Sequence, residues 1–343
     1  MSGGESILDV RDLRVWYGTA RGPVRAVDGA SFQIGAGETL GLVGESGSGK
    51  STLGRGVLGL LPEAAAVAGS VRYGERELVG VPQKAMRAMR GPELGLIFQE
   101  PMTRLDPLQT IERHFREALH THKPDLDAGE VRRSSLEALA GMGIPRTRFD
   151  QYPHEFSGGM RQRIMIALAL VLEPKVLIAD EPTTALDVIV EAQILGILAD
   201  LRRNFDTAVL LITHNLGIVA EACDRVAVMY AGEIIEEGDA RDVLSDPAHP
   251  YTRELLRATI SLETTGLNYI PGAPPSLLDP PAACRFHPRC PNAMEVCAAK
   301  HPIEVRATGG QRVSCWLHGP EGEIPAGGKE ALERPGFLAA EEA

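Results

Sequence analysis

The sequence predicts an α/β fold built around a parallel β-sheet, and two short apolar segments are the main reason. Residues 38–43 (ETLGLV) and 175–179 (KVLIA) are rich in aliphatic side chains, and each runs directly into a polar loop. Short apolar runs of this kind are typical of strands that are buried on both faces of a sheet. The chain has 343 residues, 44% of them hydrophobic, so we expect one large domain with an appendage, or two domains.

Charge and hydropathy argue against several classes of protein. The net charge of −11 disfavours a protein that coats nucleic acid. The longest apolar run, residues 164–172, ends at Glu173 and Pro174 and is too short to cross a bilayer. The opening residues contain no basic segment that leads into an apolar one, so no export signal is expected. The sequence therefore predicts a cytoplasmic protein without a nucleic-acid partner.

The first apolar segment leads into GESGSGKST, which has the spacing G-x-x-x-x-G-K-[ST]. Between a strand and a helix this pattern predicts a phosphate-binding loop, because its glycines let successive backbone N–H groups point at phosphate oxygens. Lys50 is predicted to meet the terminal phosphates and Ser51 to ligate Mg²⁺. An ordinary glycine-rich turn is the alternative, and the complete match disfavours it. The candidate nucleotide-binding residues are Gly44, Glu45, Ser46, Gly47, Ser48, Gly49, Lys50, Ser51 and Thr52.

The second apolar segment delivers an acidic pair, Asp180 and Glu181, to its carboxyl end. Asp180 is suited to hold Mg²⁺ through water, and Glu181 to orient or deprotonate the water that attacks a γ-phosphorus. Such a pair also occurs in solvated loops. Because the ends of parallel strands meet in one crevice, its combination with the phosphate loop favours catalysis.

A second candidate anion site opens the helical segment RQRIMIALALVLE. There the sequence FSGGM offers Ser157 as an N-cap and leaves the first N–H groups uncovered at Gly158 and Gly159. Alone, this stretch would indicate only a capped, buried helix.

Taken together, residues 7–245 resemble the ATP-binding subunits of ABC transporters. The resemblance rests on the phosphate loop, Gln99 after LGLIF, the FSGGM signature, the acidic pair, the turn at 185–187 (ALD) and His214 after the strand TAVLLIT. It implies a P-loop NTPase fold, with a RecA-like parallel sheet, N-terminal antiparallel strands, a helical subdomain and a small cysteine-rich extension. It also implies ATP and Mg²⁺, and head-to-tail dimers in which each ATP lies between one phosphate loop and the partner's signature helix.

The resemblance also assigns roles to single residues. Gln99 would contact Mg²⁺ and the attacking water, His214 would grip the γ-phosphate, and Asp187 would bridge the two domains. With Glu181, Gln99 and His214 are the catalytic candidates. Tyr17 would stack on adenine, although aromatic residues are enriched in strands in any case.

Further stretches resemble one subgroup, the importers of dipeptides and oligopeptides. These are SGGMRQR, QEPMTRLDP and HPYTRELL. Met160 stands where the common signature LSGGQ has glutamine, and Phe156 where it has leucine. The resemblance implies peptide uptake at the cytoplasmic face of the cell membrane, with two integral permease subunits, an extracytoplasmic solute-binding protein and a second, related ATPase subunit rather than a copy of this chain. Nickel chelates, glutathione and oligosaccharides stay open as solutes, and a soluble ABC ATPase of DNA repair or translation is the alternative class.

The predicted organisation follows from these motifs and from composition. The units are a nucleotide-binding domain at 1–245 with a helical subdomain at about 100–165, a helix and Pro-rich linker at 246–283, a four-cysteine segment at 284–318 and a frayed tail at 319–343.

Four of the five cysteines, with the spacing C-x5-C-x6-C-x17-C, fall in the late segment. A reducing compartment disfavours disulfides, so metal ligation is the leading interpretation. The spacing fits neither common zinc pairs nor ferredoxins, and it leaves Zn²⁺ and iron–sulfur open. Resemblance to peptide-importer ATPases favours a structural [4Fe-4S] cluster over Zn²⁺, with iron or redox sensing as a further reading. The position beyond the ATPase suggests contact with a partner or a substrate gate. The predicted ligands are Cys284, Cys290, Cys297 and Cys315.

Overall fold

The computed structural model describes residues 6–98, 105–183, 188–258, 269–307 and 309–319. Gln99, Asp187 and nearly all of the predicted tail lie outside these ranges. The strands are β1 (Ser6–Thr19), β2 (Gly22–Gly35), β3 (Thr39–Val43), β4 (Ala65–Tyr73), β5 (Arg76–Glu77), β6 (Leu94–Ile97), β7 (Val176–Asp180), β8 (Ala208–Ile212), β9 (Arg225–Tyr230), β10 (Glu233–Asp239), β11 (Glu304–Arg306) and β12 (Arg312–Ser314). The α-helices are α1 (Lys50–Val57), α2 (Gln83–Met89), α3 (Ile111–His122), α4 (Ala128–Gly141), α5 (Gly158–Leu170), α6 (Val188–Phe205), α7 (Leu216–Ala222), α8 (Ala240–Ser245), α9 (Pro250–Arg257) and α10 (Glu295–Ala299).

Two sheets organise the described residues. The larger has the order β11-β12-β10-β9-β3-β8-β7-β6, and its strands from β9 to β6 are parallel. The smaller is antiparallel, with the order β2-β1-β4-β5. This arrangement confirms the predicted α/β class with N-terminal antiparallel strands. No helix among the described residues has both the length and the apolar character needed to cross a membrane.

The central strands are buried along their whole length because apolar layers cover both faces of the sheet. All residues of β3, β7 and β8 are buried. Along β7, Val176 and Ile178 belong to the core shared with the antiparallel sheet, whereas Leu177 and Ala179 belong to the core shared with α3–α6. This alternation follows from the two-residue period of a strand. The same alternation decides to which face of the sheet each residue at the carboxyl end of β7 points.

Helices α3, α4 and α5 form a helical layer at the position predicted for the subdomain. Thr110 caps α3 by accepting from the N–H of Arg113, and Asp127 and Glu130 form a capping box at the start of α4. The described part of the predicted helical subdomain therefore does contain helices.

Residues 240–258 contain two helices, α8 and α9, and the second lies in the region predicted as a helix ahead of the Pro-rich linker. Pro250 starts the second helix, and His249 caps it by accepting from the N–H of Tyr251 at 3.0 Å. The carboxylate of Glu236 accepts from the N–H groups of Ala248 (2.6 Å) and His249 (3.0 Å). Proline and a buried acceptor thus replace helical hydrogen bonds at the break.

The cysteine segment is joined to the core sheet. Its hairpin, β11 and β12, pairs with β10, and Val313 lies opposite Glu236 and fully buried. The segment therefore extends the large sheet at one edge.

Candidate active site

The phosphate loop lies between β3 and α1, and its glycines allow an unusually close approach of other backbone. Gly44 has a φ of 150° and Gly49 a φ of 107°. A Cβ at Gly44 would lie 2.1 Å from the carbonyl oxygen of Met229, and a Cβ at Gly49 would lie 2.1 Å from that of Ala26. Only glycine fits at either position. The loop is thereby held between the parallel sheet and β2.

Lys50 is buried within this loop. Its ammonium donates to the carbonyl oxygens of Gly44 (2.8 Å) and Glu45 (3.0 Å). Burial lowers the pKa of Lys50, and the acidic residues Glu181, Asp180 and Glu45 oppose that shift. The only cation of the loop thus lies between its carbonyls and the acidic strand end.

The structure brings the two described Mg²⁺ candidates together. The hydroxyl of Ser51, at the start of α1, donates to the Asp180 carboxylate at 2.9 Å. Burial raises the pKa of Asp180, and the Ser51 hydrogen bond opposes that rise. A hydroxyl and a carboxylate side by side are hard oxygen donors, which suit Mg²⁺. These residues fit the ion that the sequence implies.

Glu181 and His214 meet at the ends of neighbouring parallel strands. The Nδ1 of His214 lies 3.4 Å from a carboxylate oxygen of Glu181. Glu181 has a φ of 49°, in the left-handed region that non-glycine residues rarely adopt, and its N–H donates to the Ile212 carbonyl at 2.9 Å. The strained turn redirects Glu181 as the strand ends. Two predicted catalytic residues are therefore adjacent, whereas the third, Gln99, lies outside the described residues.

The signature forms the start of α5, as predicted. Ser157 has extended backbone geometry, and its Oγ accepts from the N–H of Met160 at 3.4 Å. The first helical residues are Gly158 and Gly159. In the described residues, no hydrogen bond or ion pair joins residues 157–160 to residues 44–52 of the same chain.

Arg148 anchors this signature and was not singled out in the sequence. It donates to the Met160 sulfur (3.3 Å) and to the Glu155 carbonyl (2.6 Å), and its guanidinium lies 4.3 Å from the Phe156 ring centroid. Phe156 is buried in the core of the helical layer. Both departures from the common signature thus contact one arginine, through a sulfur acceptor and a cation–π contact.

Gln162 contributes a contact that the sequence did not predict, whereas Tyr17 was predicted to stack on adenine. Gln162 of α5 donates to the carbonyl of Pro182 at 2.8 Å, which ties the signature helix to the turn after the acidic pair. Tyr17 lies within β1, paired across to Val24 and Ala65, and packs partly buried against the core of the antiparallel sheet. Its adenine contact stays a prediction.

Side chains from the C-terminal region reach the phosphate loop, which sequence patterns did not indicate. Arg289 forms a two-pronged ion pair with Glu45, and the Tyr251 hydroxyl accepts from the Glu45 N–H at 2.8 Å. Tyr251 packs against Tyr230 and Phe286, with ring centroids 4.6 and 5.4 Å away. The wall of the nucleotide site therefore includes residues from far along the chain.

The predicted metal ligands line one small cavity, together with His249 and His287. The cavity holds about 10 Å³, close to the space of one water molecule. Burial raises the pKa of Cys284 to about 11 and that of Cys290 to about 12, so these thiols are neutral near pH 7. Among the described residues, no three His, Cys, Asp or Glu side chains are arranged to hold a metal ion. The expected [4Fe-4S] cluster or Zn²⁺ is therefore not supported by this arrangement.

Two histidines of the cysteine segment have partners of their own. His301 lies 3.1 Å from the Glu233 carboxylate, and a ring nitrogen of His318 lies 2.9 Å from the Ala248 carbonyl oxygen.

The phosphate loop faces an acidic pair at the end of a strand. The parallel sheet that carries both also bears an antiparallel sheet and a helical layer. Together these features define an ATP-hydrolysing enzyme of the ABC class. Residues 27–184 match the family described as ABC transporter, and residues 235–297 match the family described as oligopeptide/dipeptide transporter, C-terminal region. The chain belongs to the family of ATP-binding subunits of oligopeptide and dipeptide ABC transporters.

Two curated relatives show the extent of the similarity. The oligopeptide transport ATP-binding protein OppD of Salmonella typhimurium is 48% identical over 307 residues, which cover 88% of this chain and 91% of the relative. The dipeptide transport ATP-binding protein DppD of Bacillus subtilis is 45% identical over 325 residues, 93% of this chain and 97% of the relative.

Solved structures agree on the fold. The ATP-binding cassette MJ0796, in a dimeric post-hydrolysis state with ADP and Pi, matches with a TM-score of 0.63 at 25% identity, over 68% of this chain and 99% of that one. The cbiO1 protein of Clostridium perfringens, part of an ABC transporter complex, matches with a TM-score of 0.59 at 29% identity, over 71% of this chain and 92% of that one.

Proposed function

We propose that this chain is the ATP-hydrolysing subunit that energises uptake of dipeptides or oligopeptides, bound peripherally at the cytoplasmic face of the cell membrane. Its partners in this proposal are two integral permease subunits, a solute-binding protein outside the membrane and a second, related ATPase subunit. The observation that carries the proposal is the junction of Ser51 with Asp180 at 2.9 Å beside the Glu181–His214 pair at 3.4 Å. The peptide substrate is supported by the similarity to oligopeptide and dipeptide transport ATP-binding proteins.

Each described site residue then has a chemical task. Backbone N–H groups of 44–52 and the Lys50 ammonium bind the phosphates. Ser51 and Asp180 hold Mg²⁺, which, when bound, offsets phosphate charge. Glu181 accepts a hydrogen bond from the attacking water and orients it, and His214 donates toward the γ-phosphate. Gln99 and Asp187 keep the roles that the family resemblance gives them.

The proposed role of the signature helix is at the ATP site of a partner subunit. We propose a head-to-tail dimer in which Ser157, Gly158 and Gly159 complete the ATP site of the second ATPase subunit. The solved dimer of MJ0796 supports such an assembly. So does the uncovered amino end of α5, which has a hydroxyl cap and two glycines but no described hydrogen bond to its own phosphate loop.

A direct test replaces Glu181 by glutamine in the reconstituted transporter. The amide keeps the size of the side chain but is a poor base, so we expect ATP binding to remain and hydrolysis to fall by about a hundredfold or more. Peptide uptake into proteoliposomes should fall in parallel. Ser157→Ala in the same complex should lower hydrolysis as well. Full hydrolysis by an isolated monomer that carries Ser157→Ala would refute the dimer.

The solute is tested with the same complex. Addition of solute-binding protein with a dipeptide or oligopeptide should stimulate the ATPase, whereas a nickel chelate, glutathione or an oligosaccharide should not. Stimulation by one of those solutes alone would replace the peptide assignment.

For the cysteine segment we propose ligation of an iron–sulfur cluster, with Zn²⁺ as the alternative. What supports it is that four thiols, spread over residues 284–315, line one cavity. Ligation requires the thiols to lose their protons. Anaerobic purification followed by iron, sulfide and zinc analysis tests this proposal. A wild-type chain that contains none of the three, with full activity, would remove it.

A further inference from the structure

Arg289, which precedes Cys290, holds the side chain of Glu45 in the phosphate loop. Its Nη1 and Nη2 atoms lie 2.7 and 3.0 Å from the two carboxylate oxygens of Glu45. The remaining N–H groups donate to the Tyr230 hydroxyl (3.2 Å) and to the carbonyls of Ile270 (3.2 Å) and Pro271 (2.9 Å). A guanidinium has five N–H donors, so every donor of Arg289 has an acceptor. With only 5% of its side chain exposed, it is a fixed group rather than a mobile surface charge.

The position of Glu45 explains why such a group is needed. Glu45 directly follows Gly44, inside the loop whose N–H groups are aimed at phosphate. A carboxylate free to turn there would repel a polyphosphate. The two-pronged pair with Arg289 offsets that charge and fixes its direction.

The backbone of Glu45 is held from the same side. Its N–H donates to the hydroxyl of Tyr251, a fully buried residue of α9. The C-terminal region thus restrains both the peptide unit and the side chain of one loop residue.

We propose that Arg289 is a positioning residue of the nucleotide site: it neutralises Glu45 and holds that carboxylate away from the phosphates, so the cysteine segment sets the affinity for ATP and ADP. This inference rests on the proposed function, in which residues 44–52 bind nucleotide phosphates. Arg289 ends a 3-10 turn at His287–Arg289, and Cys290 follows at once. A shift of the four cysteines is therefore transmitted to Glu45 through the peptide bond between Arg289 and Cys290 and through the Arg289 side chain.

The test is calorimetric titration of the full chain with MgADP, which is not hydrolysed. Arg289→Ala should weaken binding about tenfold, as expected for one uncompensated charge several ångströms from a polyphosphate. Arg289→Lys keeps the positive charge, so its affinity for MgADP should lie between those of the wild type and Arg289→Ala. The loss of MgADP affinity in Arg289→Ala should become smaller as the salt concentration is raised, because ions screen the exposed Glu45 carboxylate. Arg306→Ala is the matched control and should bind like the wild type, because within the described part of the chain the Arg306 side chain donates only to the Gly310 carbonyl.

A double variant distinguishes neutralisation of the Glu45 charge from structural stabilisation of the phosphate loop by Arg289. Glu45→Gln introduced together with Arg289→Ala should restore most of the lost affinity, because no carboxylate is left to repel phosphate. Wild-type affinity in Arg289→Ala, or a loss that Glu45→Gln does not restore, would overturn the proposal. Should Arg289→Ala not fold, Arg289→Lys with and without Glu45→Gln gives the same comparison. Lys50→Ala monitors the underlying site: if it too binds MgADP normally, the assignment of residues 44–52 fails instead.

Discussion

Replacing Arg285 by methionine measures how firmly the cysteine segment is attached to the nucleotide-binding core. The Arg285 guanidinium forms an ion pair with the Asp28 carboxylate of β2 and donates to the Ala231 carbonyl at 2.5 Å. Its Nε lies 3.0 Å from the Glu233 carboxylate. The side chains of Arg285 and Asp28 are 5% and 6% exposed, so this is a buried ion pair between distant parts of the sequence.

The expected loss follows from what the substitution leaves behind. Removing one partner of a buried ion pair typically costs about 3–5 kcal/mol, because the other charge stays buried without compensation. Here Asp28 keeps Arg14 at 3.0 Å and the Trp16 indole at 3.2 Å, so part of its charge stays compensated. We therefore expect the free energy of unfolding to fall by about 2–3 kcal/mol, with a Tm lower by roughly 4–8 °C.

Urea and thermal unfolding, followed by circular dichroism, measure the effect. Arg306→Ala, an exposed arginine of the same segment, is the control and should stay within about 0.5 kcal/mol of the wild type. Adding Asp28→Asn to Arg285→Met removes the buried charge and should recover part of the loss. If Arg285→Met is as stable as the control, the ion pair does not attach the segment.

Three further predictions concern single contacts. Arg148→Ala should lower the kcat of the assembled ATPase by about ten- to a hundredfold, because the signature loses its anchor, while MgADP binding to the isolated chain is unchanged; an unchanged kcat in steady-state assays contradicts it. Tyr251→Phe leaves the Glu45 N–H without its acceptor and should cost about 1 kcal/mol in urea unfolding, and no measurable loss would argue against that bond. Glu233 raises the pKa of His301, so the folded state binds this proton more tightly than the unfolded state. The difference in unfolding free energy between wild type and His301→Gln should therefore reach about 0.5 kcal/mol below pH 6 and vanish as pH rises through the folded pKa, whereas a pH-independent difference would exclude the contact.

The phosphate site was largely predictable because its information is local. Apolar runs set the strands at 38–43 and 175–179, and the structure has them at Thr39–Val43 and Val176–Asp180. The parallel sheet then brings the ends of β3 and β7 to one edge, which is why Ser51 and Asp180 meet. Glycine spacing and strand order were sufficient for this part of the site.

The contacts of three arginines were not predictable in the same way. In the sequence Arg148, Arg285 and Arg289 look like ordinary surface charges, and the partners of the last two lie far away along the chain. Arg289 and Glu45 are 244 residues apart, and Arg285 and Asp28 are 257 residues apart. Only the tertiary fold brings such pairs together.

The hairpin of the cysteine segment escaped prediction for a related reason. Its strands, EVR and RVS, have three residues each, which is too short for a two-residue period to show. Pairing with β10 stabilises them instead. The same pairing explains why a segment with little apolar content of its own packs against the core.

Serine replacement of Cys284 or Cys297 distinguishes two roles for the segment. A role in contact with a partner or substrate gate predicts that transport falls much more than intrinsic ATPase activity. Two described ion pairs of the segment lie instead on the nucleotide-binding core, since Arg285 pairs with Asp28 and Arg289 with Glu45. Cys284 precedes both arginines, and its N–H donates to the Cys297 carbonyl at 3.1 Å within the segment. Cys297 is 7% exposed, so the serine hydroxyl in Cys297→Ser needs a buried hydrogen-bond partner and will disturb the packing around it. We therefore expect MgADP affinity to fall severalfold together with transport. Reduced uptake with wild-type MgADP affinity in both variants would show that the segment acts on a partner and not on the phosphate loop.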